Sequence, residues 1–270
     1  MLTSEAQFYS APFDAIAGQY DDVFTASNIG RAQRASVWTE LTRSFRAGHR
    51  VLEIGCGTGI DASFLAERGV RVVACDRSIE MIAVTTRRVR ERGLQTLVNP
   101  VLCEAEELMA LGEVGFDGAF SNFGAVNCIP ELRSLAQHLH CLLQPGVPVL
   151  LCYLGPCCWW EIVWYLASGS PRKAFRRLRK SNTVRIAGGP PLQVQYPTVR
   201  SMRQAFAPWF RLRSVKGIGL VVPPSYVEPW IPRFPKGLEF ARRFDAWLAR
   251  CPGIRLFSDH LLLEFEHRPR

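Results

Sequence analysis

At 270 residues, 48% hydrophobic and 21% charged, the chain has enough apolar material for one sizeable core carrying an inserted subdomain, and too much to be disordered. Its net charge of +9 is uneven: twelve Arg or Lys and no Asp or Glu fall between Pro171 and Lys216, so the remainder is net −3 and the basicity is local. Nine cysteines, odd in number and without a CxxC pair, exclude a disulfide framework and read as small buried hydrophobes in a reducing compartment; Cys157 and Cys158 lack a second Cys/His pair at ligand spacing, so no metal is expected.

The N-terminus, MLTSEAQFYSAPFDAIAGQYDD, lacks a basic start followed by an apolar run, so no secretory leader is expected and the reading is cytoplasmic. Residues 5–47 carry helical spacing, with Phe13, Ile16, Tyr20 and Phe24 and then Val37, Leu41 and Phe45, which predicts a helical cap over 1–49. From residue 50 strands and helices alternate: RVLEIG, helix 61–68, VRVVACD, helix 78–92, LVNPVLC, an acidic turn, FDGAFSN, helix 130–143, VPVLLCYL and helix 158–168. That alternation over 50–155 predicts parallel strands covered by helices on both faces, with ligands at the strands' carboxyl ends. Residues 147–168 hold one charged residue, Glu161, and are long enough to cross a bilayer, but Pro148 and the Gly155-Pro156 break divide them into a strand and a short helix.

Past residue 155 the alternation stops. An apolar helix, a break at Gly169-Ser170-Pro171, and a basic helix over 171–180 with Ser170 as N-cap are followed by a loop at 188–191, a short strand near 192–196 and a helix at 198–207. Segment 156–210 is therefore expected to be a lid inserted over the sheet's open edge, with 211–270 completing the sheet. The expected fold class is α/β: a Rossmann-like, doubly wound, mostly parallel seven-stranded sheet with an antiparallel last strand and a helical lid.

The most informative stretch is VLEIGCGTGIDASFLAERGVRVVACD, residues 51–76. Gly55, Gly57 and Gly59 have GxGxG spacing, whereas the dinucleotide fingerprint GxGxxG would need glycine where Ile60 stands. Asp76 closes the second strand, where a carboxylate can accept hydrogen bonds from both ribose hydroxyls of an adenosyl or an NAD-type ligand.

VLEIGCGTG followed by VACD resembles the class I S-adenosylmethionine-dependent methyltransferases, in their small-molecule type 11/25 branch. CEAEEL at 103–108 and FDGAFSNFGAVNCI at 116–129 fit the same pattern, although Cys103 stands where glycine is usual; the likeness extends to FDAIAGQYDDVF at 13–24 and fades beyond 156. It implies S-adenosylmethionine as cofactor and S-adenosylhomocysteine as product, with Glu53, Gly55, Gly57 and Gly59 along the bend and Asp76 on the ribose. Arg77 and Met81 would flank the adenine, Glu104 and Ala105 would meet its amino edge, and Asn122 would lie near the methionine part. Tyr20 would close over the cofactor, and Arg31 or Arg34 would pair with its carboxylate.

A sulfonium methyl is already activated, so transfer by in-line displacement needs alignment and a dry site, with a general base for some acceptors. Candidates for that base are His260, beside Asp259, and Glu161; His138 and His140 read as surface or packing residues. Trp159, Trp160, Tyr196 and Tyr226 would line the acceptor pocket, which suits a hydrophobic, aromatic or lipid-like molecule of natural-product or lipid metabolism. The basic helix 171–180 suits peripheral contact with an anionic membrane, or a plain solvated face. Two rivals remain at this point: an RNA methyltransferase, motivated by the basic segment, although SNFG replaces the NPPY-type loop of amino-methylating enzymes, and an NAD-type Rossmann binding protein.

Overall fold

The computed structural model describes residues 11–269 except Gly188 and Phe234, and excludes the side chains of 232–236. Strands β1 (Arg50–Ile54), β2 (Arg71–Asp76), β3 (Val98–Leu102), β4 (Ala119–Ser121) and β5 (Pro148–Leu154) are parallel, and β8 (Phe210–Ile218) and β9 (His260–His267) join them in the order β3-β2-β1-β4-β5-β9-β8. β9 runs antiparallel to both its neighbours, as expected for the last strand. β6 (Ser181–Arg185) and β7 (Pro191–Gln195) form a separate hairpin.

The central strands are apolar on both faces, so alternate residues feed two cores. Leu52, Ile54, Val149 and Leu151 pack with α4 (Leu132–Leu142) on one side; Val51, Leu150 and Cys152 pack on the other with α1 (Asn28–Ser44), α2 (Ile60–Ala66) and α3 (Ile79–Glu91). Ser27 and Ser78 start α1 and α3 as N-caps, accepting from Gly30 N and Met81 N at 2.9 and 3.1 Å.

The segment expected to form a lid holds α5 (Trp159–Ala167), α6 (Pro171–Ala174) and the β6–β7 hairpin. The hairpin rests over the carboxyl ends of β4 and β5: Asn127 Nδ2 donates to Leu154 O and Gln195 O at 2.9 and 2.6 Å, while its Oδ1 accepts from Leu154 N at 2.8 Å. The sheet's edges, β3 and β8, lie elsewhere, so the lid covers strand ends and not an open edge. The helix at 198–207 is α7 (Val199–Phe206); its fully buried Met202 and Phe206 belong to the sheet's own core. Helix α8 (Pro235–Leu248) lies between β8 and β9 in sequence.

Two expected helices are not continuous. Phe13–Phe24 folds as a 3-10 turn, Asp14–Ile16, and a π turn, Asp21–Thr25, while residues 5–10 lie outside the described part. Side-chain tethers override helical spacing here: Ser78 Oγ donates to Asp14 Oδ1 at 2.5 Å, Thr58 Oγ1 to Asp21 Oδ1 at 2.7 Å, and Arg88 also pairs with Asp21. The basic stretch 171–180 holds only the four-residue α6 and a 3-10 turn, Arg176–Leu178, because two of its arginines bend inward to a buried acid. Among the described residues no helix is long and apolar enough to cross a membrane; 147–168 divides into β5 and α5.

Candidate active site

β1 ends at Ile54 and the chain reverses through Gly55, Gly57 and Gly59, all with φ between +54° and +72°. A Cβ on Gly55 would stand 2.2 Å from Ala125 Cβ, and one on Gly59 2.4 Å from Thr85 Cγ2, so both are required by close packing; a Cβ on Gly57 would meet nothing within 4 Å. Gly57 is thus the glycine that faces open space. Asp76 closes the bend from β2, its Oδ2 accepting from Gly57 N at 2.8 Å and its Oδ1 from Ser78 N at 2.9 Å. Burial pushes the Asp76 carboxyl up, opposed by those N–H groups and Arg77.

A cavity opens beside Asp76. Its walls include Ile54, Gly55, Leu108, Ala125 and Ile129, with Phe13 from the N-terminal segment. Arg77, Ala105 and Glu106 line it, whereas Glu104 is not part of the wall and pairs with Arg77 at 3.3 Å. Met81 is buried beneath the Ser78 cap and is not part of that wall. Cys75, Cys103 and Cys128 line the same space; Phe13, Glu106 and Ile129 lie in the family-like segments, whose pattern does not say which side chains face the cavity.

On the other side of the bend lies a buried polar nest. Arg34 Nη1 pairs with Asp61 Oδ2 at 2.6 Å, and Asp61 also accepts from Trp38 Nε1 at 2.6 Å and Asn122 Nδ2 at 3.0 Å. Phe123, held at φ +49°, stacks beneath the Arg34 guanidinium at 4.7 Å, and Tyr20 packs against Phe13 and Phe24 with centroids 6.4 and 6.0 Å away. Arg31 faces solvent and donates to Asn28 Oδ1, so only Arg34 belongs to the nest. Three buried polar atoms here have no partner: Glu53 Oε2, Asn122 Oδ1 and Arg34 Nε. Burial, with Asp61 adding to it, holds the Glu53 carboxyl well above the usual carboxylate range.

The pieces fit an adenosyl amino acid: an apolar slot for a base, a strand-end carboxylate for a diol, open backbone at Gly57, and orphaned polar atoms for an ammonium and a carboxylate. Residues 51–146 match the family described as methyltransferase domain. The chain carries a class I, S-adenosylmethionine-dependent methyltransferase domain. Among curated relatives, the demethylmenaquinone methyltransferase of Clavibacter sepedonicus is 32% identical over 143 residues, covering 53% of this chain and 56% of that protein. The tRNA 5-carboxymethoxyuridine methyltransferase of Escherichia coli (strain K12) is 28% identical over 138 residues, 50% of this chain and 52% of that one. The match thus spans little more than half the length of these relatives. The solved structure of the CcbJ methyltransferase from Streptomyces caelestis shares the fold across 96% of this chain and 99% of its own, with a TM-score of 0.62 at 16% identity.

Beyond the methyltransferase domain, a charged chain links the lid to the last strand. Glu161, 1% exposed, accepts from Arg176 Nε at 2.5 Å and Arg177 Nε at 2.7 Å. Arg177 also donates to Asp259 O at 2.8 Å and Asp259 Oδ1 at 2.7 Å, while Asp259 Oδ2 stands 3.4 Å from His260 Nδ1. Burial raises the Asp259 carboxyl, but His260 and Arg177 outweigh it and hold it well below the usual range. His260 opens β9 opposite Leu154, at the same sheet end as the glycine bend, and its ring meets Phe123 edge-on at 5.4 Å. The structure therefore joins His260 and Glu161 through Arg177, an arginine that looked like any other in its basic run.

The expected acceptor aromatics separate into two groups. Tyr196 belongs to the hairpin's own core with Leu192 and Val194. Trp159 donates to Leu220 O and packs tilted against Trp160, whereas Trp160 Nε1 and Tyr226 OH are buried without partners; burial near Cys158 and Glu161 pushes the Tyr226 phenol up. All nine cysteines are free thiols.

Proposed function

We propose that this protein transfers the methyl group of S-adenosylmethionine to a small, hydrophobic, aromatic or lipid-like acceptor. The observation that carries the reading is Asp76 clamped to Gly57 N beside an apolar cavity, within a methyltransferase domain. The cofactor supplies an electrophilic methyl. Asp76 would hold its ribose, Ile54, Ala105, Leu108 and Ile129 its adenine, and Glu53, Arg34 and Asn122 its amino-acid end, with Tyr20 and Phe13 excluding water.

His260 is assigned as the general base for a hydroxyl or carbon acid. Asp259 faces Nδ1 and so favours the tautomer with a proton there, leaving Nε2 to accept one. Glu161 has both oxygens engaged by guanidinium groups, which makes it a positioning residue rather than a second base. Trp160 Nε1 and Tyr226 OH are buried donors without partners, available to orient an acceptor. The named activity of the Clavibacter sepedonicus relative supports an apolar ring acceptor.

The RNA reading has the Escherichia coli relative and the basic segment behind it. Yet Arg176 and Arg177 bind the buried Glu161, so those two cations of the segment are committed to an interior acid. The same pairing weakens membrane contact through 171–180. Incubation with methyl-labelled S-adenosylmethionine, a panel of hydroquinones and phenols, and bulk transfer RNA separates these readings. Label is expected in the organic extract and not in the RNA; the reverse distribution overturns the acceptor class.

A further inference from the structure

Helix α8 turns Leu238, Ala241 and Asp245 inward. Asp245 accepts from the N–H groups of Gly219, Leu220 and Val221 at 3.0, 2.8 and 3.0 Å, which pins the helix to the end of β8 and fixes which face points outward. That outer face is not polar. Phe240, Phe244 and Trp247 are 63, 42 and 69% exposed at i, i+4 and i+7, and successive rings lie 5.2 and 5.7 Å apart, forming one ridge. The turn that follows exposes Ile254, Leu256 and Phe257 as well. An apolar patch of this kind marks a surface that something covers.

Beside Trp247 a groove of about 520 Å³ runs between α1 and α8, with Arg43, Lys216, Arg242, Arg243 and Arg250 on its walls. Three carboxylates oppose these five cations. Glu40 binds Arg43 at 2.7 Å and also Lys216, Asp245 is committed to backbone N–H groups, and Glu239 binds Arg242 and Arg243 at 3.0 and 3.2 Å. Aromatic ridge and groove, whose five cations exceed the three carboxylates by two, thus lie side by side along α8.

We infer that α8 and the turn after it dock on an anionic bilayer, the aromatic ridge entering the interface and the groove receiving lipid phosphates. Rings at the headgroup level bury apolar area while neighbouring arginines meet negative charge, and the two contributions are both needed for stable association. A second copy of the chain is a poorer occupant, because a two-fold contact would set each groove's arginines against themselves. No residue of the cofactor cavity takes part, so the inference stands apart from the proposed reaction.

The test is co-sedimentation of the full chain with phosphatidylglycerol/phosphatidylcholine vesicles and with pure phosphatidylcholine vesicles. Binding is expected to the anionic vesicles only and to fall on raising salt to 1 M, where the screening length drops to about 3 Å. Phe244→Ser/Trp247→Ser should weaken partitioning by about tenfold or more. Arg242→Glu/Arg243→Glu should weaken it at low salt and little at high salt, with circular dichroism and the unfolding midpoint showing both variants folded. The inference is overturned by no binding to anionic vesicles, by equal binding of parent and ridge variant, or by equal binding to both vesicle types. It is also overturned if sedimentation without lipid shows a dimer that Phe244→Ser/Trp247→Ser dissociates.

Discussion

An Arg177→Ala variant is expected to lose about 3–5 kcal/mol of folding stability, because it leaves Asp259 and one oxygen of Glu161 buried without their cation. Arg177 answers three acceptors at once, whereas Arg176, half-exposed, pairs with Glu161 and lies over the Tyr165 ring. The effect depends on pH in a defined direction. In the parent the Asp259 carboxyl is depressed, so its contribution is present above the unfolded value, about pH 4, and is lost only as pH falls further. In the variant the stranded Asp259 carboxylate is raised by its burial instead, and its penalty, full at neutral pH, is relieved as it takes up a proton. Urea midpoints should therefore differ most at pH 7.5 and converge toward about pH 4. A loss below about 1 kcal/mol, or one that does not change with pH, would show that Arg177 is not the counter-charge.

The second large effect concerns rate. His260→Gln keeps a side chain of similar reach but cannot carry the proton, so kcat is expected to fall by about 10²–10⁴-fold with a weakly acidic hydroxyl or carbon acceptor. Affinity for S-adenosylhomocysteine should be unchanged, since His260 reaches the cofactor region only through Phe123. Asp259→Asn should lower kcat by less, through the tautomer of His260, while an acceptor with a low pKa should rescue both variants. Equal kcat for parent and His260→Gln would remove His260 from the chemistry.

The parts of this site that were legible in the sequence are those built from neighbours in the chain. Strand, glycine bend, helix, strand and terminal Asp76 lie within 26 residues, and each constrains its own backbone, so the parallel sheet and the ligand end followed from local pattern. Arg177 and Asp259 stand 82 positions apart, and a charge count cannot tell an arginine bent onto a buried acid from its solvated neighbours. The same limit explains Glu104 and Glu106: both follow β3, and only the position of Arg77 decides which one turns away. Helical spacing misled at Phe13–Phe24 because Asp14 and Asp21 are tied to Ser78, Thr58 and Arg88, partners that periodicity does not see. The aromatic ridge of α8 is not legible in the sequence, because alternating rings and arginines look alike whether a helix buries them or not.

The central claim, that the bend at Gly57 and the acid at Asp76 together hold an adenosyl ligand, is tested most directly by calorimetric titration of S-adenosylhomocysteine into the parent and into Asp76→Ala. One nucleoside per chain is predicted, with no uptake of NAD, and a loss of about 1–3 kcal/mol of binding energy in the variant, whose folding is checked by circular dichroism. Binding of NAD in place of S-adenosylhomocysteine, or an affinity that Asp76→Ala leaves unaltered, would contradict it.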